Sequence, residues 1–406
     1  MDDEHSGGTP PTSLSGKRIL LGVTGSIAAY KAAGWVRQLT TRSALVTVIM
    51  TRAAERFVTG ITFGALSGNR VYKDMFAEQP EELMAHITLS RDADILLIAP
   101  ATAHTISRLA CGMADDLLST VVLAAKIPIV VCPAMNTAMY SHPATRHNID
   151  QLRALGYHII PADSGELACG EEGAGRLPEW ELVQEKLIAL FCPQDLKGKK
   201  VVITAGPTRE ALDPARYLSN RSSGKMGYAL ARTAARRGAV VTLVSGPVNL
   251  TAPPGVETIQ VTTARQMQSQ VLEVAESADI IVKAAAVSDF KPKNYQQHKI
   301  KKAQGITFIE VEENPDILAY LGERKHKRSI LVGFAAESNN HETEGRRKLQ
   351  QKKADLIVVN DILGPETGFD VETNQVILVD AEKSKQLPLL SKEETANRIW
   401  DHILTL

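Results

Sequence analysis

The stretch KKVVITAGPTREALDPARYLSNRSSGKMG, residues 199–227, decides the architecture. It opens with two lysines and an apolar run over 201–205 that reads as a buried strand. Gly206-Pro207 breaks the strand, and a polar loop follows as far as Ser222-Ser223-Gly224-Lys225-Met226-Gly227. An alanine-rich helical pattern then covers 228–237. A strand feeding a glycine-containing loop and a helix start presents backbone N–H groups, and the positive end of the helix dipole, to an anion. This is how a mononucleotide-binding α/β domain opens. A first opening of the same kind stands at residues 18–31, so two α/β domains in tandem are expected.

Strand and helix patterns alternate on either side of this stretch. In the first half, strands are expected at 18–23, 45–50, 94–99, 128–132 and 157–160, with helices at 27–39, 53–58, 103–110, 116–125 and 143–155. In the second half, strands are expected at 201–204, 240–245, 256–261, 279–283, 330–335 and 355–359, with a late one at 376–380 near an edge. Helices there are expected at 228–237, 264–277, 315–323, 341–352 and 393–405. Such alternation predicts Rossmann-like, three-layer α/β domains with mainly parallel sheets, which bind ligands beyond the carboxyl ends of the strands. Residues 284–314 break the alternation, and long loops inside compact domains are often functional. The expected organisation is a disordered tail over 1–15, a domain over 16–192 closed by a helix at 178–191, a linker at 193–198 and a domain over 199–406.

Composition narrows the function classes. The 406 residues carry 46 Lys+Arg against 46 Asp+Glu, which gives no global pull toward nucleic acid or a membrane surface. No apolar run approaches the ~20 residues needed to span a bilayer, and the polar N-terminus lacks the pattern of a signal peptide. The four cysteines are widely spaced, as in a cytosolic protein with free thiols.

Candidate residues cluster at the expected strand ends. Gly25-Ser26 can bring backbone amides and a hydroxyl to an oxyanion, or can simply form a tight turn. Thr51, rather than an acidic residue, closes the second strand, which argues against a nicotinamide dinucleotide. His86 sits on a half-apolar helix, where histidine is either structural or functional. Asn136 follows Pro-Ala-Met at a strand end and either caps a helix or holds a carboxylate. Cys169 lies in SGELACGEEGAGRL (164–177), whose four glycines suggest a mobile loop; it reads as an acid, a nucleophile or an exposed thiol without a role. In the second half, Arg209, Arg216, Asn220, Arg221 and Lys225 crowd one loop, and six lysines from Lys283 to Lys302 surround Asp289. Most of a lysine run is a solvated face, but a triphosphate needs several cations and a carboxylate for Mg²⁺. Asn314-Pro315-Asp316-Ile317 reads as a helix start, and Lys348 and Lys352 share one helix face.

The motifs GVTGSIAAYK (22–31), AHITLS (85–90), APAT (99–102), PAMN (133–136), ACGEEGAGRL (168–177), TAGPTRE (204–210), SNRSSGKMG (219–227), AAAVSDF (284–290), KIKK (299–302), NPDI (314–317) and GFAAE (333–337) occur in order. Together they resemble the bacterial family in which phosphopantothenoylcysteine decarboxylase is fused to phosphopantothenate–cysteine ligase, over about residues 16–405. The resemblance implies an FMN-dependent first domain in which Gly25, Ser26, Thr51 and Thr102 surround the flavin. His86 then matches the active-site histidine, Asn136 the residue that holds the substrate carboxylate, and Cys169 the acid that protonates the enethiol on a substrate-covering loop. The second domain is implied to use CTP and Mg²⁺ to activate 4′-phosphopantothenate as an acyl-cytidylate for attack by L-cysteine. Asn220 matches the residue that binds the acyl intermediate. Lys283, Ala284, Ala285, Asp289, Lys299, Pro315, Asp316, Ile317, Leu318, Phe334, Lys348 and Lys352 match the nucleotide site. Arg216 resembles a contact to the substrate phosphate or to a neighbouring subunit. The metal ligands stay unassigned. Family members form trimers joined through dimers into dodecamers, so a cytoplasmic homo-oligomer is implied. One departure stands at 112–116, where Asp115 replaces the Asn frequent in the family.

Three other readings use the same fold. A peptidyl-cysteine decarboxylase leaves the second half unexplained. A non-catalytic flavoprotein regulator does not require His86 and Cys169, both of which are present. A nicotinamide oxidoreductase requires the missing acid after strand two.

Overall fold

The structure is a computed structural model describing residues 10–76, 84–301, 308–325, 328–337, 340–361 and 371–406. The chain divides into two units, one of residues 13–190 and one in which residues 10–12 join 191–406.

In the first unit, β1 (Arg18–Val23), β2 (Leu45–Met50), β3 (Val71–Tyr72), β4 (Ile95–Ala101), β5 (Ile129–Pro133) and β6 (His158–Ile159) form one parallel sheet. Its order is β3-β2-β1-β4-β5-β6, so the winding reverses between β1 and β4. Right-handed crossovers then place helices on both faces. On one face, Leu20, Leu96 and Ile98 pack with Leu89 of α3 (Ala85–Asp92), Ile106 of α4 (Ala103–Ala110), Leu118 of α5 (Leu117–Ala124) and Leu152 of α7 (Pro143–Ala154). On the other, α1 (Ala29–Thr41) meets α8 (Trp180–Ala189) through Trp35 and Trp180, whose rings lie 5.5 Å apart. A short helix, α2 (Gly60–Ser67), follows β2, and α6 (Thr137–Ser141) follows β5. An antiparallel hairpin of β7 (Asp163–Glu166) and β8 (Glu172–Arg176) carries Cys169 at its turn.

The second unit repeats the winding. Strands β9 (Lys200–Ala205), β12 (Val240–Ser245), β13 (Glu257–Gln260), β14 (Ile280–Lys283), β17 (Ile330–Glu337) and β18 (Leu356–Asp361) are parallel in the order β13-β12-β9-β14-β17-β18. Antiparallel β20 (Val376–Val379) and β21 (Ser384–Gln386) extend the β18 side. Along β9 the side chains alternate as a pleated strand requires. Val201, Ile203 and Ala205 pack toward α9 (Lys225–Arg236) and α13 (Lys392–Ile403), while Val202 packs toward α10 (Ala264–Ala275), α11 (Ile317–Arg324) and α12 (His341–Lys352). The cation-rich loop after β9 contains a hairpin, β10 (Arg209–Asp213) with β11 (Arg216–Ser219). The irregular region after β14 contains the pair β15 (Phe290–Pro292) and β16 (Val311–Glu313). Near the C-terminus, β19 (Thr373–Asn374) pairs with β22 (Leu390–Ser391).

Two expected boundaries need correction. Of the expected disordered tail, residues 10–15 are placed: Pro10 is buried with its carbonyl accepting from Asn397 at 3.3 Å, and Leu14 is buried. The expected linker 193–198 is folded into the second unit. Leu196 belongs to the core there, and Asp195 pairs with the buried Arg237 guanidinium at 2.6 Å.

Candidate active sites

In the first unit the loops after β1, β2, β4 and β5 gather at the carboxyl edge of the sheet, where a doubly wound sheet takes its ligand. Thr24, fully buried, joins the two strands at the reversal point: its hydroxyl donates to the Pro100 carbonyl at 2.6 Å and accepts from the Thr102 N–H at 3.1 Å. Thr102 in turn caps α4, accepting from Thr105 N–H. The Thr51 N–H donates to Val23, and its hydroxyl accepts from Ala54 N–H at 3.3 Å. Gly25 passes so close to the next loop that a Cβ there would lie 2.5 Å from the Ala53 Cβ. The half-buried Ser26 stands before α1, whose start has no side-chain cap. A backbone cradle, a hydroxyl and an uncapped helix start fit the phosphate of a flavin mononucleotide.

Asn136 links this edge to the β7–β8 hairpin. Its Oδ1 caps α6 by accepting from Ala138 N–H at 2.8 Å. Its Nδ2 donates to Glu171 Oε2 at 2.6 Å and lies 3.6 Å from Cys169 Sγ. The hairpin is seated by backbone contact: the Met135 N–H donates to the Gly175 carbonyl at 2.9 Å. A Cβ on Gly175 would sit 2.2 Å from the Met135 carbonyl, and one on Gly173 would sit 2.6 Å from the Thr137 hydroxyl. Cys169 is exposed, whereas Cys132 is buried in β5, where burial pushes its thiol far above the usual range. Of these two thiols, Cys169 is therefore the one open to solvent. His86 is half-buried in the first turn of α3.

In the second unit the reversal point lies between β9 and β14, and two loops are stitched together there. Ala285 N–H donates to the Thr204 hydroxyl at 3.1 Å, Ala286 N–H to the Gly206 carbonyl at 2.9 Å and Ser288 N–H to the Thr208 hydroxyl at 3.0 Å. Asn220 Nδ2 donates to the Val287 carbonyl at 2.9 Å. Between these loops and the start of α9 lies a cleft of about 510 Å³ that includes Asn220, Lys225, Lys283, Asp289, Phe334 and Lys348 in its lining. Gly224 enters α9 with φ +77, and no side chain caps that helix start. Burial pushes the Lys283 ammonium below its usual range; Asp316 and Asp289 oppose this, while Lys352 and Lys348 add to it. Burial alone would raise the Asp316 carboxyl, but the Ala319 N–H and the Lys352 ammonium hold it below the usual range. A cleft with several ammonium groups, one carboxylate and an open helix start is built for a polyanion.

Two family models divide the chain between them. The "Flavoprotein" model matches residues 8–192, and the "DNA/pantothenate metabolism flavoprotein C-terminal domain" model matches residues 196–406. Over 398 residues the chain is 47% identical to the "Coenzyme A biosynthesis bifunctional protein CoaBC" of Bacillus subtilis (strain 168), covering 97% of this chain and 98% of that one. The chain belongs to the coenzyme A biosynthesis bifunctional family. The protein of the same name from Escherichia coli (strain K12) is 46% identical over 397 residues, covering 97% and 98%. A crystal structure of the C-terminal domain of a protein so named is 41% identical, covers 52% of this chain and 97% of that chain, and has a TM-score of 0.45.

Of the expected residues, Gly25, Ser26, Thr51, Thr102 and Asn136 fall at one sheet edge, with Cys169 brought to Asn136 by the hairpin. Asn220, Lys283, Ala284, Ala285, Asp289, Phe334 and Lys348 line the second cleft. Lys348 also pairs with Glu337 at 2.7 Å. The helix start expected at Asn314-Pro315 lies two residues later: Asp316, paired to Lys352, caps α11, Pro315 precedes the helix, and the Ile317 and Leu318 side chains are core. Arg216 and Lys299 stand apart from the cleft lining. Arg216 bonds Asp213 at 3.1 Å and the Ile300 carbonyl at 3.2 Å, and Lys299 is exposed. Glu171, Asn374 and Lys392 also stand at these sites and are not among the expected residues. Only Lys392 had a signal, the Ser391–Glu394 capping box, and that marks a helix start rather than a ligand.

Proposed function

We propose that the second unit joins L-cysteine to 4′-phosphopantothenate at the expense of CTP, and that the first unit decarboxylates the product to 4′-phosphopantetheine. In the ligase half, Lys283, Lys348 and the open start of α9 meet the phosphates, and Asp289 meets the Mg²⁺ that CTP carries. The substrate carboxylate displaces pyrophosphate, giving the acyl-cytidylate. Asn220, fixed on Val287, holds that intermediate until the cysteine amine displaces CMP. In the decarboxylase half, bound FMN supplies the oxidation and the returned hydride. Asn136 grips the substrate carboxylate, His86 steers or deprotonates the cysteinyl end, and Cys169 gives its proton to the enethiol. The observation that carries this half is the Asn136–Glu171 contact: the amide already binds a carboxylate at 2.6 Å beside the Cys169 thiol. A cytoplasmic homo-oligomer of trimers joined through dimers is part of the same reading.

Two variants test the division of labour. Cys169→Ser is expected to stop the first half after CO₂ loss, with an oxidised enethiol accumulating and ligase activity intact. Asn220→Asp is expected to depress ligation and leave decarboxylation of supplied 4′-phosphopantothenoylcysteine at the wild-type rate. Loss of both activities in either variant would sink the assignment.

A further inference from the structure

One wall of the ligase cleft comes from the end of the chain and has no role in the steps above. In the β19–β22 pair, Asn374 stands opposite Leu390 and Thr373 opposite Ser391, and α13 begins at Lys392. Asn374 and Lys392, 2% and 7% exposed, both line the cleft. Asn374 Nδ2 donates to Met226 Sδ at 3.6 Å, a weak acceptor, and its Oδ1 has no hydrogen-bond partner among the described residues. Because a thioether is a weak acceptor, the Nδ2 group keeps donor capacity for a ligand in the cleft. Lys392 Nζ donates to the Thr373 carbonyl at 3.2 Å. Lys225, the first residue of α9, stands nearby with Glu372 at 2.5 Å. Lys225 and Lys392 also line a second cavity of about 670 Å³, so the two residues border both cavities.

Ammonium groups, an uncommitted amide and an uncapped helix start recognise phosphate oxygens. The Asn374 Nδ2 carries two N–H groups, and the one not directed at Met226 can donate to a phosphate oxygen. We propose that Asn374 and Lys392 hold the outer, pyrophosphate end of the nucleoside triphosphate. In this step, which rests on the ligase reading, a substrate carboxylate oxygen bonds to the α-phosphorus and the α–β bridging P–O bond breaks. The electron pair stays on the departing pyrophosphate, and Lys392 meets the charge that gathers there.

The test is calorimetric titration of the full-length protein with CTP, CMP and inorganic pyrophosphate. Lys392→Met should weaken CTP and pyrophosphate about 10–100-fold and leave CMP within about twofold, and Lys392→Arg should recover most of the loss. Asn374→Leu should act in the same direction by about 3–10-fold. Wild-type affinity for pyrophosphate in a folded Lys392→Met protein, or an equal loss for CMP, would overturn the proposal. If Lys392→Met does not fold, Asn374→Leu decides on the same criteria. A wild-type protein that binds no CTP would instead remove the ligase reading itself, and this proposal with it.

Discussion

Asn136 serves two purposes with one amide, because its oxygen caps α6 while its nitrogen reaches the hairpin. Asn136→Asp separates them. Aspartate still caps a helix, but it loses the donor and sets a second carboxylate beside Glu171. Decarboxylation should fall by about 10–100-fold with little change in melting temperature, since a hydrogen bond to a charged group contributes about 1.5–3 kcal/mol. A comparable drop in melting temperature would reduce Asn136 to a cap. In the other unit, Lys283 is held at the cleft with its ammonium depressed by burial. The unfolded chain therefore binds that proton more tightly than the folded one, and stability rises with pH from the folded pKa to the ordinary 10.5. Lys283→Met should accordingly melt higher than wild type at neutral pH, by a margin that fades toward pH 10.5, while binding CTP about 10–100-fold more weakly. A lower melting temperature at neutral pH would contradict the burial argument. Capping or carboxylate binding was an open choice for Asn136 in the sequence, because residue type marks both and only contacts distinguish them.

At the scale of elements, the glycines of the Cys169 segment mean something different from what their number suggests. Four glycines in fourteen residues read as mobility, yet Gly173 lies where β8 presses against the Thr137 side chain and Gly175 where it presses against the Met135 backbone. Gly175, at φ +150, has no room for a Cβ beside the Met135 carbonyl. Gly175→Ala should unseat the hairpin and cut decarboxylation at least tenfold, while ligase activity stays at wild type; unchanged decarboxylation would show that the hairpin does not need this seat. Elements with a strong local signal, an apolar strand or a run of good helix formers, were legible. The helix expected at 341–352 is α12 as observed, and the strand expected at 240–245 is β12. The helix expected at 53–58 is instead a single turn, Ala54–Arg56, followed by α2, whose Gly60 and Gly64 hide a helical pattern. The β10–β11 and β15–β16 pairs escaped notice because short polar strands paired away from the main sheet show neither an apolar alternation nor a hairpin dipeptide.

For the whole molecule, two reversal points, one in each unit, give two separate sites on one chain. That tandem plan was visible because each opening strand, loop and helix start repeats the same local chemistry. The linker was not: its Pro, Gln, Asp and Gly residues have the composition of an exposed connection, whereas Leu196 and the Asp195–Arg237 pair tie it into the second unit. Arg237 makes a second pair with Asp401 at 2.8 Å, so this segment is held within the second unit by contacts distant in sequence. The central claim is that both sites work in one protein on consecutive steps. It is tested most directly by mass spectrometry of a single reaction containing the FMN-loaded protein, 4′-phosphopantothenate, L-cysteine, CTP and Mg²⁺. We expect 4′-phosphopantetheine, with 4′-phosphopantothenoylcysteine as the transient species; a reaction that forms neither, or that stops at 4′-phosphopantothenoylcysteine, would contradict the claim.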